Sequence, residues 1–500
     1  MKIVLFILLL LLSSFRPAWA NGLGVLPTPA SVSVSERMIP TPPKIAVRMS
    51  LSRGVAPDSA TVRLIAGCRV EIVGLGDAVA TLASESYRLR LDSCEAFIEA
   101  ADYRGAVYAL QTLGSILGSD SVPAAVTVSD APRCNWRAFM LDSGRQFHSP
   151  ETIKKYLRMA SMLKFNRFHW HLTEGLGWRP EIAALPRLAE VGGYVAKGPE
   201  QQGHYSQKDI KEIVDYAACL GIDIVPEIDI PGHSEAALNA YPSLGCRGVA
   251  PKIPEEGFTP DIFCAGNDST IVALKQILDE VCRIFPGEYI HLGGDEAPKD
   301  NWDACPRCRE RIRREGLADS HDLQLWLSAE MARYVGEKGR KAIFWDDVVN
   351  GGGTVRLPEN AVVQWWNYRG RKDQAVDSAR AAGLPLIASP NYYCYLNFPT
   401  EPWRGYGPER TFGFEDTYLR NPADSAIAAD RDGRILGMTA ALWTDYALTE
   451  DMLDEHLFPR IFALAELMWH TGARKPLDTL LNEASAASAR FLRNESIPNP

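Results

Sequence analysis

The 500-residue sequence is short of positive charge. Its 53 lysines and arginines stand against 62 aspartates and glutamates, for a formal charge of −9. An acidic chain with no basic stripe is poorly suited to nucleic acid or an anionic membrane surface, and a neutral ligand fits it better. Long apolar runs are nearly missing too. Ile3–Leu12 is a block of ten residues, about half of what a bilayer-spanning helix needs, so no integral membrane association is expected. The block's flanks read as an export signal: Lys2 precedes it and Ala18-Trp19-Ala20 follows as a small-x-small cleavage site. No cysteine follows closely enough to suggest a lipid anchor. Residues 1–20 are expected to be removed on export to the periplasm or the exterior. Lys2 and Arg16 leave with them and no acid does, so −9 becomes −11. Tandem repeats and low-complexity tracts are absent, which argues against a solenoid or a disordered scaffold.

Paired CxxC motifs are also lacking. "CPRC" (Cys305–Cys308) stands alone among ten cysteines. A structural zinc site needs four ligands and no second CxxC supplies the other two, so an inert or locally disulfide-bonded loop is expected. Disulfides are permitted in an exported chain, but their pairing does not follow from spacing.

The rest of the sequence falls into two textures. From about residue 28 to 128, short β-like runs, "KIAVRMS", "TVRLI", "CRVEIV" and "YRLRL", precede one helical stretch, Gly105–Leu117. This predicts a small α+β domain over 21–131. From Trp136 onward, short apolar strands alternate with amphipathic helices. Ser149-Pro150 and Ser206 are helix starts, and Gly221 closes the second helix. Eight strand candidates follow in order: 137–142, 165–172, 222–228, 289–294, 341–345, 361–366, 384–388 and 436–443. Eight strands with intervening helices predict an α/β fold, a (β/α)8 TIM barrel over 132–475, with a helical tail over 476–500.

In such a barrel, chemistry collects where the strands end. Those ends carry Asp142 with Arg145, Glu174, Asp229 with His233, and Asp295 with Glu296. Later ends carry Trp345 with Asp346 and Asp347, then Trp366, Tyr395 with Asn397, and Trp443 with Asp445. Carboxylates beside aromatic platforms suit a sugar, whose hydroxyls need acceptors and whose C–H faces stack on rings.

Seven motifs in order, "APRCNWRAFMLDSGRQF", "NRFHWHLTEGLGWRPEI", "YSQKDIKEIVDYA", "VPEIDIPGHSEAALNAYP", "FCAGND", "HLGGDEAP" and "ALWTDY", closely resemble the family 20 glycoside hydrolases, the β-N-acetylhexosaminidases. The resemblance runs from roughly Val25 to Trp469. It implies exo-hydrolysis of terminal β-linked N-acetylglucosamine or N-acetylgalactosamine, with an N-acetylhexosamine-containing glycan as partner. It also implies retention without a protein nucleophile, the substrate's acetamido oxygen attacking to form an oxazolinium. Asp295 matches the carboxylate that holds the acetamido N–H, and Glu296 the general acid. Glu174 and His233 match the pair behind that acid. Arg145 matches the arginine that grips ring hydroxyls. Trp345, Trp366 and Trp443 match an aromatic box, and Tyr395 the tyrosine on the acetamide oxygen. Cys246 and Cys264 flank a loop in the family's manner and are expected as a disulfide. Three positions depart from the usual pattern: Glu174 where aspartate is common, Asn397 where aspartate is common, and Asp445 where glutamate is common.

Two rival readings stand. A metal hydrolase would use "HWH" (His169 to His171) with His233, His291 and Asp295, since strand residues two apart face the same way. No bridging lysine accompanies them, and the resemblance implies neither metal nor cofactor. A catalytically inactive glycan-binding protein is opposed by the presence of both Asp295 and Glu296. The export reading makes a direct prediction: N-terminal sequencing of exported material should start at Asn21, and a chain still carrying Ile3–Leu12 would contradict it.

Overall fold

The computed structural model describes residues 23–67, 69–75, 82–254, 257–368, 374–398, 412–445 and 448–495. The expected export segment lies outside them. The described residues divide into two compact units. One comprises the chain to Arg133 with Met162–Lys164 and Trp469–Arg490; the other comprises Cys134–Ser161, Phe165–Met468 and Phe491 onward.

The first unit is a six-stranded mixed sheet, in the order 31–34, 125–130, 87–92, 95–100, 45–51 and 70–75. "YRLRLD" alternates buried and exposed residues along its length, so one face meets the core. Helix Tyr103–Leu117 starts where Asp102 accepts the Gly105 N–H, close to its expected limits. "TVRLI" is not a strand. It lies in helix Ser59–Ala66, where Asp58 accepts the Thr61 N–H and Val62 and Ala66 face inward. Its β-branched residues suggested a strand, and the cap with an apolar i, i+4 pair outweighed that propensity. A fully buried charge in this unit is fully paired: Asp130 accepts from Lys164 at 2.8 Å, from Tyr87 at 2.8 Å and from Trp469 at 3.0 Å.

The second unit is a closed eight-stranded parallel barrel. Its strands are β1 (Trp136–Asp142), β2 (Arg167–His171), β3 (Asp223–Glu227), β4 (Tyr289–His291), β5 (Lys341–Trp345), β6 (Ala361–Trp365), β7 (Leu386–Ala388) and β8 (Ile435–Leu442). All eight were expected; β4 ends three residues early, because residues 292–294 are drawn into an irregular turn. The helix over Gln207–Cys219 is closed at its start by a reciprocal Ser206–Asp209 capping box.

Inside the barrel, residues two apart on a strand stack in layers. Trp136, Ala138, Val225, Tyr289, Ile343, Val362 and Ile387 form an apolar layer. Two residues further along several strands stand Glu227, His291 and Trp345, so a polar layer lies directly above the apolar one.

Candidate active site

The polar layer is organised by one carboxylate. Glu227, at the end of β3, is fully buried. Its Oε2 accepts from His169 Nε2 at 2.8 Å and His171 Nδ1 at 2.6 Å, and its Oε1 accepts from Trp345 Nε1 at 2.7 Å. Burial alone would raise this carboxyl; the surrounding histidines outweigh it and hold it well below the usual range. Burial likewise pushes His169 down to about 4, so it stays neutral, whereas for His171 the attraction of Glu227 outweighs burial and raises its pKa. His291 Nδ1 accepts the Gly293 N–H at 3.1 Å. His169, Glu227 and His291 could in principle surround a metal ion. Their facing atoms, however, are already committed to one another or to backbone.

Above this layer runs an alternation of charge. Arg145 donates to Asp142 at 2.9 Å and meets Glu174 at 2.6 Å and Asp445 at 3.3 Å. Glu174 in turn meets His233 Nδ1 at 2.8 Å, and His233 Nε2 faces Asp295 at 3.5 Å and Glu296 at 3.9 Å. Burial opposes the charge on Glu174, but Arg145 and His233 hold its carboxyl down at about 2. Burial would lower His233; Glu174 on one side and Asp295 on the other keep it protonated well above its ordinary value. The imidazolium therefore sits between one buried carboxylate and the two acids of the "GGDE" turn.

Those two acids diverge because the chain leaves β4 through unusual backbone. Gly293 and Gly294 have φ of +63° and +101°, and Glu296 itself has φ of +46°. A side chain at Gly293 is impossible for a second reason: its Cβ would lie 1.7 Å from Asp229 Oδ1. Asp229 Oδ1 accepts the Gly294 N–H at 2.9 Å and so moulds the turn. The Asp295 side chain is 13% exposed and its Oδ1 is buried without a partner, whereas the Glu296 side chain is 49% exposed. Asp229 is pushed up to about 8 by complete burial, which His233 only partly offsets. Burial and Asp229 also push Asp295 up. His233, facing Asp295 at 3.5 Å, opposes both pushes.

Aromatic walls complete the rim. Trp345, Trp366, Tyr395 and Trp443 share one buried cluster with Met140 and Ala441. Tyr395 and Trp366 are nearly parallel at 6.4 Å, and Trp443 lies 5.8 Å from both Trp345 and Tyr395. Asp347 ties this wall to the acid: its Oδ2 accepts from Trp366 Nε1 at 2.6 Å, and its Oδ1 takes the Glu296 N–H at 3.4 Å. Two of the three unusual residues are also partners, Asn397 donating to Asp445 at 3.3 Å. An aspartate at 397 would put two carboxylates there, so the amide at 397 and the short acid at 445 suit each other.

All eleven expected site residues thus converge on one face of the barrel. Glu227, Asp229, Asp347 and Asp142 were not assigned roles. The first two sit with Val225 at alternate positions of "VPEID", a period-2 placement of acids on a buried strand that could have marked them. One expectation fails outright. Cys246 and Cys264 form no disulfide, and Cys305 is not bonded to Cys308; their four sulfurs instead lie within 4.8 Å of one another. The loop carrying Cys246 and Cys264 folds onto the "CPRC" segment, a long-range contact that motif spacing does not reveal.

A barrel whose strand ends carry adjacent acids, a guanidinium and an aromatic box defines a glycoside hydrolase scaffold. The chain belongs to glycosyl hydrolase family 20: its catalytic-domain model matches residues 134–472 and its domain 2 model residues 23–131. A β-N-acetylhexosaminidase structure from Bacteroides fragilis is 48% identical, with a TM-score of 0.85, covering 94% of this chain and 96% of that one. A mutant Streptomyces plicatus β-hexosaminidase in complex with product GlcNAc is 28% identical with a TM-score of 0.77, covering 95% of this chain and 97% of that one. A β-hexosaminidase of Porphyromonas gingivalis is 37% identical over 437 residues, 83% of this chain. This chain spans 54% of that relative's length.

The charge alternation gives a pH prediction. Glu174 has a folded pKa of about 2 against an ordinary 4.5, so its stabilising contribution is present above pH 4.5 and fades as pH falls towards 2. The shift corresponds to about 3 kcal/mol. Urea unfolding of the wild type and Glu174→Gln should differ most near neutrality, and the gap should narrow by about that amount as pH falls from roughly 4.5 to 2. A gap independent of pH would show that Glu174 is not the ionised partner of Arg145 and His233.

Proposed function

We propose that the chain is an exo-acting, retaining β-N-acetylhexosaminidase that removes terminal β-linked N-acetylglucosamine or N-acetylgalactosamine from glycans or chitooligosaccharides after export. The observation that carries this reading is the unequal presentation of the two acids. Asp295 faces His233 and offers one unpaired oxygen, while the Glu296 side chain is about half exposed. A buried acceptor with no partner calls for a donor, and an acetamido N–H supplies one.

In this mechanism the acetamido oxygen attacks the anomeric carbon while Glu296 gives its proton to the departing glycosidic oxygen. The C1–O bond breaks and an oxazolinium forms. Asp295 accepts the N–H throughout, and its negative charge counters the positive charge that spreads over the new ring. Glu296, now a carboxylate, takes a proton from water as that water attacks C1 and opens the ring, so two inversions give retention. Arg145, held by Asp142, Glu174 and Asp445, grips ring hydroxyls. Trp345, Trp366, Tyr395 and Trp443 enclose the acetamide and the sugar face.

Glu296→Gln should lose about two to four powers of ten in turnover, and less with activated leaving groups that need little protonation. Equal losses across leaving groups would remove Glu296 from the acid role. Asp295→Asn should lower turnover strongly while weakening ground-state binding less, and it should abolish most of the tight binding of a cyclic thiazoline mimic. Intact mass after incubation with a 2-fluoro-glycoside lacking the acetamide should show no adduct; a covalent glycosyl group on any carboxylate would mean an enzyme nucleophile and reject the mechanism.

A further inference from the structure

The four cysteines that confounded the disulfide expectation form a compact cluster that shares no residue with the candidate active site. Cys246 Sγ lies 3.7 Å from Cys308 Sγ, and Cys264 Sγ lies 3.6 Å from Cys308 Sγ and 3.9 Å from Cys305 Sγ. A disulfide needs about 2.05 Å. A tetrahedron of thiolates at about 2.3 Å from a central zinc has edges of about 3.8 Å. No pair stands closer than the rest in the way a bonded pair would. Cys264, Cys305 and Cys308 are buried, and Cys246 is half-buried.

Both halves of the cluster are built by backbone. Gly245 pairs with Phe263 in an isolated antiparallel bridge, and the Cys264 N–H donates to Leu244 at 2.8 Å, which sets Cys246 and Cys264 side by side. Trp302 Nε1 donates to the Phe263 carbonyl at 2.9 Å and brings the second segment in. There Cys305 caps helix Pro306–Glu315 and Cys308 lies in its first turn, where unpaired N–H groups and the helix dipole favour thiolates. Gly266 closes the fit: a Cβ there would stand 2.2 Å from the Arg307 carbonyl carbon and 2.3 Å from the Cys308 nitrogen, so the two knuckles touch directly.

We propose that Cys246, Cys264, Cys305 and Cys308 bind one zinc ion in a closed, four-coordinate structural site. Binding forms four Zn–S bonds and releases the four thiol protons, with no change of oxidation state. With four protein ligands and no open position, the metal takes no part in hydrolysis. Its effect is mechanical. The first knuckle ends the loop that leaves β3 and carries His233; the second follows the turn that leaves β4 and carries Asp295 and Glu296. Zinc therefore staples together the two loops whose acids and imidazole must keep their spacing. It also withholds these thiolates from the oxidation that pairs cysteines in exported proteins.

The test is elemental analysis of the full chain purified without chelator, added metal, oxidant or reductant. One zinc per chain, retained on dialysis, is expected, with these four cysteines alkylated only after unfolding in chelator. Removing the metal should lower the unfolding midpoint. Cys305→Ser/Cys308→Ser should drop the zinc content below about one-tenth per chain, while Cys94→Ser, at an exposed turn of the other unit, keeps it. Should the double variant not fold, the wild-type zinc content and the peptide-mapped alkylation decide alone. Metal-free protein with two disulfides among these cysteines, metal-free protein with four freely reactive thiols, or iron in place of zinc would each overturn the assignment. None of these readouts depends on hexosaminidase activity, so the metal site and the proposed reaction stand or fall separately.

Discussion

Charge placed inside a barrel without water has to be matched by charge or by donors, and this requirement shapes everything near the strand ends. Glu227 is the deepest case. Its two oxygens are claimed by His169, His171 and Trp345, which come from β2 and β5, so a single carboxylate fixes elements on either side of its own strand. Trp345 is thereby set as a wall of the site and His171 as part of its floor. One layer higher the same rule yields the run from Arg145 through Glu174 and His233 to Asp295. Removing any interior member of that run leaves an uncompensated buried charge, which costs far more than the pair itself contributes.

The general architecture was plain in the sequence because periodicity and strand length report it directly. All eight barrel strands and the helix starts at Pro150 and Gln207 follow from local pattern. "TVRLI" misled because β-branched composition is a weak prior that a good cap can overrule. In the site, side chains at strand ends were readable from their positions, and the matching motifs suggested their roles. What could not be read was everything set by distant contacts. The reliance of Gly293 on Asp229, the sharing of Asp347 between Trp366 and Glu296, and the gathering of four cysteines from two loops all join residues from different turns and loops, which local pattern does not report.

The departures from the usual family pattern gain meaning once their neighbours are seen. Asn397 and Asp445 bond each other, and Asp445 also reaches Arg145. Glu174 has the length to touch both Arg145 and His233. Each of the three altered side chains thus has a partner within the same network.

Asp347 has a consequence of its own. One carboxylate accepts from the backbone of Glu296, the proposed proton donor, and from the indole of Trp366. The aim of the acid and the bore of the cleft are thus a single mechanical coordinate rather than two. A guest too wide for the box would spread the wall and swing the donor off line in the same movement. Selection among sugars can then operate at the bond-breaking step even when an oversized guest is able to lodge.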